Sequence, residues 1–466
     1  MSDQPLWALS AGQLAQAFAA GSATPVQALE AVLARHDAVN PRLNAVVTLD
    51  RAGAQAAARA SAGRWARGEA FGPLDGVPLT IKDNILTAGL RSTWGSACYA
   101  DFVPERDETP VARLRAAGAV ILGKTNVPEF TVQGVTDNAL FGPTRNPWNP
   151  GLTPGGSSGG AVAAVASGIG PLALCTDGGG SIRRPAAHAG LVGLKPSRGL
   201  VPRQHGFPAI LDSFEVVGPV GRCVGDVRAM LRIIAGAGEV ATPPVAQRIA
   251  FIPRFGEAPV DPAIAASVAE AAERFAGLGH AVERLDDFTL AEPVNAIWSI
   301  VSETGVAWLL DAHLKLGRDA PVQPGIAAMA ERGRGHSASD YLGMLRTIEA
   351  AGEAFDALFS RFDLLLLPAT AAQPWPVERT HPDVIDGQSV GPRGHAVFTA
   401  FANALGLPGL TLPARPDRDG MPIGLQLIGP QGSDDRLLAL GAAYEQAFGG
   451  FPMPVVSGCE GYPSLP

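Results

Sequence analysis

Apolar residues recur along this chain in two rhythms, one helical and one of short strand-like bursts. Near the start, Val26, Leu29, Val32 and Leu33 fall on one helical face. Thr24 suits the N-cap of that helix, Pro25 its first position, and Gln27 completes a capping box. A short apolar strand is predicted over 77–81, running into Lys82-Asp83-Asn84. Thr109-Pro110 is expected to cap a helix that Gly118 closes, and 119–122 resumes as a strand. An Ala/Val-rich helix up to Ser167, a buried strand over 171–175 and a short helix near 185–189 follow. This strand, helix, strand order is α/β patterning.

In the second half, strands are predicted over 248–252, 281–285, 363–367, 410–413 and 423–428. Asp261-Pro262 starts a helix to about Leu278, and 434–448 reads as a closing helix. Residues 290–360 are expected to be mostly helical, with a Gly/Pro-interrupted middle over 317–335. No internal repeat and no linker stands out. The simplest organisation is one large domain over 1–466, with 290–360 as an added helical layer.

Composition narrows the class. Hydrophobic residues make up 47% and charged residues 17%, as in a globular chain and unlike a disordered one. The formal net charge of −8 argues against nucleic acid and anionic membrane as partners, because both call for a basic surface. No run reaches the roughly eighteen apolar residues of a spanning helix, so no membrane segment is expected. Residues 1–21 lack a basic stretch ahead of an apolar one, so no signal peptide is expected. Cys98, Cys175, Cys223 and Cys459 form no C-x-x-C pair. A disulfide framework and a metal site are therefore not expected, and a reducing, cytoplasmic setting is.

Candidate chemistry gathers in Gly-rich stretches. Gly178-Gly179-Gly180 precede Ser181. Successive glycines let main-chain N–H groups turn toward one point, where they can hold an oxyanion beside a nucleophilic hydroxyl. A Gly-rich turn with a capping serine is an equal reading. Gly155-Gly156-Ser157-Ser158-Gly159-Gly160 lacks the Gly-Lys-Ser/Thr of a phosphate loop. It fits a G-x-S-x-G elbow around Ser158, but neither His188 nor His205 follows an obvious acid at a strand end. Lys82, at a strand end, acts as a base only if burial disfavours its charge.

Taken in order, Lys82-Asp83-Asn84, the Gly155–Gly160 loop and Gly179-Gly180-Ser181-Ile182-Arg183 closely resemble the amidase signature family. Gly123-Lys124-Thr125-Asn126, Phe141-Gly142-Pro143-Thr144-Arg145-Asn146-Pro147-Trp148, Gly193-Leu194-Lys195-Pro196 and Pro422-Ile423-Gly424-Leu425-Gln426 extend the likeness. It is dense over 70–230, the expected catalytic core, and sparse over 240–395. The resemblance implies a single α/β/α domain with a central twisted mixed sheet covered by helices. It implies Ser181 as the nucleophile, Ser157 as a proton relay and Lys82 as the base, with a cis Gly156–Ser157 peptide. Gly178, Gly179 and Gly180 would form the oxyanion hole with Ser181. Thr131 would line the substrate site, and Asp177 and Arg183 would hold the loop.

The implied activity is cleavage of a small amide, aryl amide, carbamate or ester, with no cofactor. The alternative is the glutaminase-type subunit of a tRNA-dependent amidotransferase. Relatives are often dimers, so a homodimer is an expectation of the resemblance alone. Two departures stand out. Gly178 replaces a larger residue and should leave extra room beside the oxyanion hole. Cys175 replaces a common Gly and reads as a small core residue.

Overall fold

The protein is described from a computed structural model that covers residues 4–236, 246–450 and 452–456. Expectations for Cys459 and for the first three residues lie outside the described residues. Helices α1 (Ala11–Ala19) and α2 (Pro25–Leu43) open the fold. The α2 capping box forms as expected, with Thr24 and Gln27 exchanging side-chain and main-chain hydrogen bonds. Strand β1 (Val46–Leu49) and helix α3 (Arg51–Ala66) follow. They then give way to β2 (Pro78–Lys82), α4 (Thr109–Ala116) and β3 (Val120–Thr125). Thr109 is the first helical residue of α4 and not its cap, which is Glu108.

The central stretch carries α5 (Gly159–Ser167), β4 (Leu172–Asp177), α6 (Arg183–Ala189), β5 (Val192–Lys195), β6 (Val216–Gly221) and α7 (Val224–Ala235). Next come β7 (Arg248–Phe251), α8 (Pro262–Gly277), β8 (Ala281–Arg284), α9 (Glu292–Trp308), α10 (Pro324–Gly335) and α11 (Ala338–Arg361). The chain closes through β9 (Leu364–Pro368), a small hairpin of β10 (Val384–Ile385) and β11 (Gln388–Ser389), α12 (Ala400–Ala404), β12 (Gly409–Pro413), β13 (Gly424–Ile428) and α13 (Asp434–Phe448).

Eleven strands form one mixed sheet in the order β1-β3-β2-β4-β6-β5-β12-β13-β9-β7-β8. β2 runs parallel to β3 and β4, and β7 parallel to β8 and β9, while the strands between β4 and β9 pair antiparallel. Alternation along each strand feeds two cores. In β9, Leu364 and Leu366 pack with residues of α7, α8 and α13, whereas Leu365 and Leu367 pack with residues of α9, α11 and α12. In β4, Leu172 and Leu174 enter the first core, and Ala173 and Cys175 pack under α5 and α6. The fold is thus a single α/β domain with a large mixed sheet between helical layers. The interruption expected over 317–335 is instead helical for its second half. Pro324 is tolerated at the first positions of α10, and Gly333 lets α10 press against the Glu303 carbonyl of α9.

Cys98, Cys175 and Cys223 are free thiols. Among the described residues, no helix is long and apolar enough to cross a membrane.

Candidate active site

Adjacent parallel strands β2 and β4 end at the same edge of the sheet, and that edge carries the site. Ligands of open α/β sheets commonly bind outside carboxyl ends of this kind. Lys82 is the last residue of β2 and is fully buried. Its Nζ donates to Ser157 Oγ at 2.8 Å, to Thr176 Oγ1 at 2.9 Å and to the Thr176 carbonyl at 3.1 Å. All three acceptors are neutral. Burial therefore dominates and pushes the amine down to about 8, against weaker opposing attraction from Glu215, Cys175 and Asp177.

Ser157 lies in the loop before α5, and the Gly156–Ser157 peptide is cis. Thr136 fixes this loop: its hydroxyl donates to the Gly155 carbonyl and accepts from the Gly159 N–H, both at 3.0 Å. Ser158 is no elbow nucleophile. Its hydroxyl donates to the Thr176 carbonyl at 3.3 Å, and it caps a helix that follows a loop and not a strand.

Ser181 sits between β4 and α6 and is 7% exposed. Its carbonyl accepts from the Ser158 N–H at 3.3 Å, which ties the two serine loops together. Among the described residues, no hydrogen bond joins the Ser157 and Ser181 hydroxyls.

The Ser181 loop is held from beneath. The Asp177 carboxylate accepts from the N–H groups of Gly180 at 2.6 Å and Ile182 at 3.0 Å, and from Arg183 Nη2 at 3.0 Å. Burial would raise this carboxyl, but the Arg183 charge and hydrogen bonds hold it well below the usual carboxylate range. Arg183 reaches onward to Asn403 Oδ1 at 2.5 Å, the Thr399 carbonyl at 3.0 Å and Gln426 Oε1 at 3.2 Å. Asn403 Nδ2 returns to the Asp177 carbonyl at 2.8 Å.

A cavity of ≈ 770 Å³ opens over this loop, lined by Ser181, Gly178, Gly179, Thr131, Leu211 and Trp298, among others. Gly180 does not line it, and its N–H is turned to Asp177. The Thr131 hydroxyl lies on the wall but is occupied, donating to the Phe130 carbonyl at 2.6 Å and accepting from Trp94 Nε1 at 3.1 Å. The extra room expected at Gly178 is not free. A Cβ there would stand 2.3 Å from Leu211 Cδ1, so Leu211 fills the space. Cys175 is fully buried, and burial pushes its thiol up to about 12, which leaves it an inert core residue.

Several residues of the site had no role assigned from the sequence. Thr176 and Asn84, the latter inside the Lys82-Asp83-Asn84 stretch, surround Lys82, with Asn84 Nδ2 donating to Thr176 Oγ1 at 3.0 Å. Lys124, inside a family-like stretch, is fully buried and pins the loop after Lys82 through the Ile85 carbonyl and Ser92 Oγ. Asn403 comes from far down the chain.

Comparison with known proteins gives the class. The sequence profile of the family described as Amidase matches residues 27–438. The chain belongs to that family, the amidase signature enzymes. A glutamyl-tRNA(Gln) amidotransferase subunit of Roseiflexus castenholzii is 36% identical over 479 residues, covering 95% of this chain and 96% of that protein. Acylamidase of Rhodococcus erythropolis is 35% identical over 468 residues, 96% of each chain. A solved bacterial aryl acylamidase of the amidase signature family superposes with a TM-score of 0.86 at 28% identity, over 96% of this chain and 97% of its own. The protein is, more particularly, an enzyme that hydrolyses amide C–N bonds.

Proposed function

We propose that the protein cleaves a small carboxylic amide through an acyl-enzyme on Ser181, with Ser157 as relay and Lys82 as base. Neutral Lys82 takes the Ser157 proton while Ser157 Oγ takes that of Ser181. Ser181 Oγ then attacks the carbonyl carbon. The N–H groups of Gly178, Gly179 and Ser181 receive the oxyanion, and Gly180 positions the loop through Asp177. An amine leaves readily only once protonated, so the proton returns through Ser157 to the leaving nitrogen as the C–N bond breaks. Water, activated by the same relay, hydrolyses the ester on Ser181. Esters and carbamates are expected as side substrates.

What carries this reading is the 2.8 Å contact of a fully buried, carboxylate-free Lys82 amine with Ser157 Oγ. The Ser157–Ser181 link is made when substrate occupies the cavity, since catalytic hydrogen bonds commonly tighten in the bound complex. Family motifs over 70–230 supply the reacting groups, and helices of 290–360 wall the cavity. Ser181→Ala should lower anilide hydrolysis by roughly 10⁴-fold or more. Full activity in that variant would end the proposal.

The similarity to amidotransferase subunits favours a second reading, a glutaminase-type subunit. Size-exclusion chromatography combined with a glutaminase assay separates the two. A free amidase hydrolyses simple amides alone, whereas a subunit would need its partners.

A further inference from the structure

The cavity over Ser181 is lopsided in charge. Arg184 follows Ser181 in the first turn of α6, with its N–H donating to the Gly180 carbonyl at 3.0 Å. Its side chain lines the cavity and is 7% exposed. No acceptor meets its buried Nε, and among the described residues no carboxylate pairs with its guanidinium. His395 lines the same cavity at 3% exposure, and among the described residues neither ring nitrogen has a partner. Arg393 stands beside them, close enough to repel Arg184.

Among the described lining residues, the one carboxylate is Glu303. It is already taken, by Arg332 Nε at 2.5 Å and by His336 Nε2 at 2.8 Å. Nearby Asp177 is likewise occupied by Arg183. Buried donors are almost always matched, and a buried guanidinium without an anion is costly. Burial first, and the Arg393 charge second, push Arg184 down to about 9. Burial, and then the neighbouring arginine charge of Arg184, hold His395 well below its ordinary range, so it is a neutral ring with one N–H to give.

We propose that Arg184, Arg393 and His395 bind a carboxylate carried by the substrate itself, so that the enzyme acts on short anionic amides. Resting on the Ser181 reading of the site, this names the substrate class. The spacer is short, because the guanidinium springs from the turn that also presents Ser181. The carboxylate belongs either to the acyl part or to the leaving amine, and one set of measurements separates these.

The experiment compares kcat/KM for two matched pairs. Succinamate against butyramide places the charge on the acyl side. N-acetylglycine against N-propylacetamide places it on the amine side. Hydrogen bonds to charged groups contribute about 1.5–3 kcal/mol each, so the anionic member of at least one pair should be preferred by about 10-fold to 100-fold or more. Arg184→Gln should erase that preference, read as the charged-to-neutral ratio of kcat/KM within the variant, and Arg184→Lys should restore part of it. Arg393→Gln, at an exposed position, is the second variant should Arg184→Gln fail to fold.

Calorimetry of succinamate, N-acetylglycine and their neutral partners on the Ser181→Ala protein reads the site without catalysis. The anionic member of the preferred pair should bind at least about 10-fold more tightly than its neutral partner, and Arg184→Gln in that background should weaken the anion by about the same factor. Equal rates for charged and neutral amides, or equal binding of the charged and neutral members, would overturn the assignment. Undiminished hydrolysis by Ser181→Ala would instead overturn the Ser181 reading alone.

Discussion

An amine that is to accept a proton near neutral pH has to be kept from already holding one. Lys82 meets that condition by burial among uncharged acceptors, which brings it to about 8. Below that pH it is ammonium and cannot take the Ser157 proton, so kcat/KM should rise with pH through about 8 and level off above. A profile flat from about pH 6 to about pH 9 would contradict this assignment of the base. Lys82→Met should lower kcat by about 10²–10⁴-fold with the fold retained by circular dichroism. The three residues proposed to react were legible because each stands in or beside a distinctive Gly-rich or strand-end stretch. Arg184 and His395 were not. What marks them is the missing partner, and only packing of distant segments shows that, among the described residues, Arg184 Nε and both His395 ring nitrogens lack one.

The loop from β4 to α6 is a rigid platform because its anchors come from other elements. Asp177 takes main-chain N–H groups on either side of Ser181, and Arg183 ties it to α12 and β13. Asp177→Asn should leave Arg183 buried without its counter-charge and cost about 3–5 kcal/mol of stability in a denaturant melt. Loss of under about 1 kcal/mol would mean that the pair is not what holds the loop.

Elements with clean caps or unbroken apolar runs, such as α2, β9 and α13, could be read from the sequence. β6 could not, since Pro219 argues against a central strand. It is tolerated because pairing with β5 covers only Val220 and Gly221, which leaves Pro219 opposite no β5 residue. α3 escaped notice because its buried face is only Ala54, Ala58 and Ser61.

Across the whole molecule, the sheet order does not follow the sequence order, and periodicity alone contains no trace of it. The α/β class followed from alternating elements, while the mixed sheet came through family likeness. The same non-local build places α9 over the site. Trp298 Nε1 lies 3.0 Å from where a Cβ on Gly179 would stand, and the ring packs 5.4 Å from Phe214. Trp298→Ala should enlarge the cavity and raise the kcat/KM ratio of bulky over small acyl anilides, at a stability cost of about 3–5 kcal/mol. An unchanged ratio would place the acyl group elsewhere.

β12 and β13 lie between β5 and β9 although they are the last strands made. During synthesis, the ribosome releases Lys82, Ser157 and Ser181 long before Asn403 and Gln426 exist to receive Arg183. A nascent chain therefore carries these three side chains before the platform that aims them exists. Activity is expected only once the two late strands slot into the gap and the sheet closes, so a chain truncated before β12 should be inactive.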